Sequence, residues 1–169
     1  TGLSDMVIET LLPAYDFRKF STIVDVGGGH GKLLAAVLQQ ATTARGVLFD
    51  LPSVVAGAGP VLDASGVADR ITGTGGSFFD SVPEGADAYL LKTIIHDWDE
   101  DSALAILRNI RKAMAPHGTV VLIEMVLPEG MPYHPGMLLD LEMLVAAGGQ
   151  ERTGAQYADL LARAGFRHW

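Results

Sequence analysis

Val24-Asp25-Val26-Gly27-Gly28-Gly29-His30-Gly31 joins the end of an apolar β-branched run to a turn crowded with glycines, and Lys32 to Gln40 follows with apolar residues at helical spacing. A strand, a glycine turn and a helix in that order open a βαβ unit. The pattern then repeats outward. Further strands are predicted at Gly46 to Phe49, Arg70 to Thr72, Ala88 to Leu91 and Thr119 to Glu124, with helices at about Ser53 to Ala64 and at Ser102 to Met114. Five strands alternating with helices predict an α/β fold: a mainly parallel sheet covered by helices on both faces. A leading helix from about Ser4 to Tyr15 is expected to stop near Pro13, and helices at Leu138 to Ala147 and Gly154 to Ala164 follow the last strand. Thr153 and Gln156 form a capping box for the final helix, and Gly165 supplies its stop.

The chain has 169 residues, 49% of them hydrophobic, enough for a single domain with one sizeable core. Its net charge of -8 disfavours partners that bind through phosphates, so neither nucleic acid nor a membrane surface is expected. With no cysteine there is neither a disulfide framework nor a thiolate metal site, which fits a cytoplasmic setting. No apolar run approaches the roughly 18 residues of a membrane span. Thr1 at the first position, and a last segment from Arg163 to Trp169 that stops where a new strand begins, predict a piece of a longer chain.

In open α/β sheets ligands bind beyond the carboxyl ends of the strands, at the point where strand order reverses. The turn Gly27 to Gly31 lies at such an end. Its spacing, Gly27-x-Gly29-x-Gly31, departs from the dinucleotide fingerprint, whose third glycine would fall at Lys32, so a pyrophosphate grip is disfavoured. Asp25 at the strand end is an acceptor suited to a cationic amino-acid group. A tight turn with no ligand is the alternative for the glycines alone. Asp50, closing the second strand about 20 residues beyond the loop, can accept both ribose hydroxyl protons or cap the helix that begins at Pro52. Together the two features point to a nucleoside-containing ligand.

Asp25-Val26-Gly27-Gly28-Gly29-His30-Gly31, Phe49-Asp50-Leu51-Pro52, Leu91-Lys92 with His96-Asp97-Trp98, and Gly148-Gly149-Gln150-Glu151-Arg152-Thr153 occur in that order. With these four motifs the chain resembles, nearly end to end, the class I S-adenosylmethionine-dependent O-methyltransferases, in the branch of plant caffeic-acid-type enzymes and bacterial enzymes that tailor aromatic polyketides. The resemblance implies a Rossmann-like catalytic domain using S-adenosyl-L-methionine and releasing S-adenosyl-L-homocysteine. The loop Gly27, Gly29 and Gly31 would hold the methionine portion, Asp50 with Leu51 the ribose, and Lys92 the far side of the cofactor. His96 would be the general base. Such enzymes carry an N-terminal helical domain that dimerises, so a homodimer is expected of a full-length protein, and they finish the sheet with two more strands, absent from this sequence. At the adenine side the family's Gly-Asp is replaced by Gly75-Gly76-Ser77-Phe78-Phe79, leaving the uncharged Ser77 hydroxyl and stacking on Phe78.

The chemistry supports the implied roles. A phenol, with a pKa of about 10, is mostly protonated at neutral pH, and an imidazole near 6.5 is available to take its proton. His96 follows the fourth strand at the ligand end of the sheet, although a lone histidine there would read as the start of a helix. Glu124 and Glu151 are the candidates to orient it. The acidic run Asp97, Asp99, Glu100 and Asp101 reads as helix capping rather than a metal site, and His30 is a further candidate contact for the cofactor. Asp140 and Met143, near the adaptable apolar stripe Met137 to Met143, are candidate contacts for an aromatic acceptor. The leading expectation is O-methylation of a small aromatic natural product. Rivals are a hydroxylating or decarboxylating relative on the same scaffold, a cofactor-binding module without turnover, and, more remotely, a nicotinamide dehydrogenase.

Overall fold

The computed structural model describes residues 3–129 and 149–167. Its centre is a parallel sheet of β1 (Thr22–Val26), β2 (Arg45–Asp50), β3 (Ile71–Gly75), β4 (Ala88–Lys92) and β5 (Thr119–Ile123), in the order β3-β2-β1-β4-β5. The chain steps outward from β1 through β2 to β3, then crosses back to lay β4 on the other side of β1 and β5 beyond it. The reversal therefore falls between β1 and β4, where Asp25 is in register with Leu48 on one side and Leu90 on the other. This is the switch point at which α/β sheets bind ligands.

Successive strand residues face opposite sides of the sheet. Ile23, Leu48, Ala88 and Leu90 pack against α1 (Leu3–Ala14) and α2 (Lys32–Gln40), the latter contributing Leu34, Val37 and Leu38. Val24, Val26, Phe49, Tyr89 and Leu91 pack on the other face, under α5 (Glu100–Ala113) and α6 (Gly154–Arg163). Both faces being covered explains why the central strands are apolar throughout rather than alternating. Asp25, 1% exposed within this core, is the exception.

Capping chemistry sets the helix ends. The Asp99 carboxylate accepts from the Ser102 N–H at 2.8 Å, so Asp99 is the N-cap of α5 with Glu100 and Asp101 in its first turn, while Asp97 belongs to the turn before it. The Thr153–Gln156 box is formed at α6, and Gly165 after it has φ +95°. Two differences from the sequence expectation have a plain structural cause. The helix expected over 53–64 is two, α3 (Pro52–Ala56) and α4 (Gly59–Ser65), because Pro60 has no N–H to continue the ladder and its ring clashes with the carbonyl four residues back. The third strand starts at Ile71 because Arg70 ends a 3₁₀ turn, its guanidinium donating to the carbonyls of Leu38, Ala41 and Ala44 at the end of α2. As expected, α1 runs through Pro13 and stops just after it, at Ala14, closing with Tyr15 N–H on Leu11 O. A separate two-stranded ribbon, β6 (Val126–Leu127) parallel to β7 (Arg152–Thr153), ties the chain just after β5 to the start of α6. Among the described residues no helix is long and apolar enough to cross a membrane. The helix expected over 138–147 lies outside the described residues.

Candidate active site

The glycine loop leaves β1 with Gly27, Gly29 and Gly31 at φ +68°, +59° and +85°, in the left-handed region that costs a side chain dearly. A Cβ on Gly27 would also sit 2.4 Å from Ile94 Cδ1. The bare loop lines a cleft of about 280 Å³ with Asp25, Lys92, Thr93 and Ile94, and His30 lies exposed at its rim. Asp25 Oδ2 has no hydrogen-bond partner among the described residues. Burial pushes its carboxyl up to about 7, only partly opposed by the Lys92 charge. That Oδ2 oxygen is an acceptor left over inside the core, at the wall of the cleft. Thr93, with φ +53°, is a β-branched residue in the same strained region, an outlier of the kind that gathers at functional sites.

Asp50 does not cap a helix: the N-cap of α3 is Leu51, half exposed. Instead Asp50 Oδ2 accepts from Gly29 N–H at 2.8 Å and Oδ1 from Leu51 N–H at 2.7 Å, tying the glycine loop to the end of β2. Each oxygen retains a lone pair for a further donor. Beyond β3, Ser77 Oγ accepts from Phe79 N–H at 3.3 Å. Phe78 and Phe79 each meet Trp98 edge to face, at 6.0 and 4.7 Å between centroids, and Asn109 on α5 donates to both of their carbonyls at 2.9 Å. An aromatic wall thus stands between the Asp50 end of the sheet and the His96 turn.

His96 occupies a 3₁₀ turn, Ile95–Asp97, directly after β4. Its Nδ1 lies 2.8 Å from Glu151 Oε1 and its Nε2 3.1 Å from Asp97 Oδ1. Burial alone would lower the imidazole pKa, but the hydrogen bond to Glu151 and the charges of Glu124, Asp97 and Glu151 outweigh it, and the pKa rises above 6.5. Of the two carboxylates expected to orient the ring, Glu151 alone touches it. Glu124 Oε1 accepts instead from the backbone N–H groups of Ile94 and Ile95, at 3.1 and 2.8 Å, so it braces the turn from below. Burial pushes Glu124 up to about 7, against the His96 charge and those two hydrogen bonds.

Sequence reasoning missed Arg152. It is 1% exposed, and its guanidinium donates to the carbonyls of Ile95, Gln150 and Trp98 at 3.0 to 3.1 Å. An arginine beside a glutamate in a polar loop gives no periodic signal; only the three-dimensional return of residue 152 to the 95–98 turn exposes it. Asp140 and Met143 lie outside the described residues.

A strand-end carboxylate at a glycine loop, an acidic second-strand end and a histidine paired to a carboxylate share one edge of the sheet. The sequence and the fold that carry these residues are similar to those of known proteins. The chain is 46% identical over 165 residues to the phenazine O-methyltransferase PhzM of Lysobacter antibioticus, covering 98% of this chain and 48% of that protein. It is 42% identical over 154 residues to a mitomycin biosynthesis 6-O-methyltransferase of Streptomyces lavendulae, covering 91% and 44%. The crystal structure of LaPhzM superposes with a TM-score of 0.90 at 45% identity, over 96% of this chain and 49% of that one. NcsB1 of neocarzinostatin biosynthesis, solved with S-adenosyl-L-homocysteine and 1,4-dihydroxy-2-naphthoic acid, superposes at 0.83 with 40% identity, over 93% and 47%. The chain spans about half the length of the relatives it matches. The O-methyltransferase domain model matches residues 1–167, and the chain belongs to that family.

Proposed function

We propose that this chain is the S-adenosylmethionine-binding catalytic domain of an enzyme that methylates a hydroxyl of a small aromatic natural product, with His96 as general base. The carrying observation is the His96 Nδ1–Glu151 pair, set at the same carboxyl edge of the sheet as Asp25, whose Oδ2 has no hydrogen-bond partner among the described residues. When bound, the cofactor supplies an electrophilic methyl group on a sulfonium.

The residues present fit that group. Asp25 offers a buried anion to an α-ammonium, and the open backbone at Gly29 leaves room beside it. The cleft of about 280 Å³ is small for a whole ligand, since pockets usually hold roughly 300–1,000 Å³, and it matches the amino-acid end. Asp50 would take the ribose hydroxyls with its spare lone pairs, Ser77 and Phe78 would hold the adenine, and Lys92 would close the far side.

Glu151 accepting the Nδ1 proton would fix the tautomer whose lone pair is on Nε2, and Asp97 Oδ1, 3.1 Å from that nitrogen, must give way for it to take a proton from the acceptor hydroxyl. Asp97 near Nε2 and Glu124 beneath the turn stabilise the imidazolium that results. An anilinic nitrogen already carries a lone pair for attack, whereas a phenol must first lose its proton. A member of the family named 8-amino-8-demethylriboflavin N,N-dimethyltransferase is 41% identical to this chain. The carboxylate-oriented base favours a hydroxyl acceptor here. The printed names of other relatives, among them a 2,7-dihydroxy-5-methyl-1-naphthoate 7-O-methyltransferase at 40% identity, support an aromatic one. A homodimer in the cytoplasm is the setting that this reading carries with it.

Mass spectrometry of products from a panel of phenols and anilines incubated with the whole protein and S-adenosylmethionine tests the proposal. A gain of one methyl on a phenol supports it. Methylation of anilines alone, loss of carbon dioxide, or addition of oxygen would contradict it.

A further inference from the structure

We propose that Arg152 is a positioning residue for His96: its guanidinium holds the 95–98 turn against the 149–153 segment, so that the imidazole meets Glu151. The inference rests on the reading of His96 given above.

Three observations carry it. The first is the fork itself: Nη1 donates to Ile95 O and Gln150 O, both at 3.1 Å, and Nη2 to Trp98 O at 3.0 Å. Ile95 and Trp98 bracket His96, so one rigid planar group fixes both ends of the turn. Second, the contact is close along its whole length. Gln150 N–H donates to His96 O at 2.8 Å, and a Cβ on Gly149 would stand 2.2 Å from that same oxygen. Third, the backbone of Arg152 pairs with Val126, two residues past Glu124. One residue therefore links, through its backbone, the segment just past Glu124 and, through its side chain, the turn that carries His96 and the residue next to Glu151. A cation buried to 1% exposure and satisfied by carbonyls is a costly way to fill space. It is a precise way to hold a loop.

Loss of this fork has a signature that loss of packing lacks. Glu151, Glu124 and Asp97 all hold the His96 pKa up, and Tyr157 lies under the Arg152 guanidinium, 6.0 Å from ring centroid to Cζ. Deleting the arginine charge by itself would raise the imidazole pKa. Letting the ring drift from Glu151 lowers it toward 6.5.

The test compares Arg152→Gln and Arg152→Lys with the parent, all in the whole protein. The control is Arg163→Gln, which removes an exposed arginine from α6. The His96 ring is titrated by NMR, kcat and KM are measured for acceptor and cofactor, and thermal midpoints are recorded. We expect Arg152→Gln to lower kcat by about 10²-fold, the scale of a 1 Å misplacement. KM values should hold within about twofold, with the His96 pKa falling toward 6.5. Arg152→Lys, with one ammonium for two distant carbonyls, should recover only part of kcat. If Arg152→Gln does not fold, Arg152→Lys gives the same readings in weaker form. A lowered thermal midpoint with an unmoved His96 titration, or a His96 pKa that rises, would overturn the proposal. The titration needs no acceptor, so it decides the role of Arg152 even if no phenol is methylated.

Discussion

Replacing Asp25 with asparagine should raise the stability of the cofactor-free protein relative to the parent as pH rises. Asp25 is 1% exposed, and burial raises its carboxyl from 3.8 to about 7. At about 1.4 kcal/mol per pKa unit, ionised Asp25 costs the folded state about 4 kcal/mol at pH 8, relative to the unfolded chain. Because the folded pKa lies above the unfolded one, the cost is absent below 3.8, grows as pH rises and levels off above about 7. At pH 5 it is about 2 kcal/mol. Asparagine keeps the shape and removes the charge, but its amide needs partners, a pH-independent loss of about 1–3 kcal/mol. That loss is the same at every pH, so the variant gains roughly 2–3 kcal/mol on the parent from pH 5 to pH 8. Urea unfolding of both proteins at the two pH values reads this directly. The same variant should bind S-adenosylmethionine about 10- to 100-fold more weakly in calorimetry, the loss of one charge-assisted hydrogen bond. A stability difference that is the same at pH 5 and pH 8 would refute the reasoning.

Glu151→Gln removes one of the charges that hold the His96 pKa up and leaves only a neutral amide oxygen to accept from Nδ1, so the rising limb of the pH–rate profile should move down toward 6.5 while kcat falls about 10- to 100-fold. An unmoved limb would show that Glu151 does not orient the base. Gly149→Ala drives a Cβ into the His96 carbonyl, where backbone must yield, so thermal unfolding should show a loss of about 2 kcal/mol or more and the His96 resonance should shift. Ser77→Asp restores a carboxylate on the adenine side and should tighten S-adenosylmethionine binding by about 3- to 10-fold in calorimetry, if Ser77 faces the adenine amino group.

Much of the frame was legible because it is local. The β-branched runs of β1 and β5, the helical stripe of α2 and the capping box of α6 each announce themselves within a dozen residues. Asp25, Asp50 and His96 stood out because each lies at or just past the carboxyl end of a strand, which the α/β pattern alone identifies as the ligand side. The order of the strands was not, since nothing in β4 says that it returns to pair with β1. Pro60 was the missed break in the helix expected over 53–64, its ring acting on the carbonyl of residue 56. The division of labour between Glu124 and Glu151 depends on which carboxylate the turn's N–H groups claim first. Arg152 depends on a contact across 57 residues of sequence to Ile95. Long-range polar contacts of this kind leave no periodic trace.

The central claim is that His96 takes the acceptor proton in a site that holds the cofactor independently. Single-turnover methyl transfer by the whole protein preloaded with S-adenosylmethionine, compared with His96→Asn, tests it most directly. The account predicts a chemical step slowed by about 10²- to 10⁴-fold with cofactor affinity unchanged. An equal rate in the two proteins would contradict it.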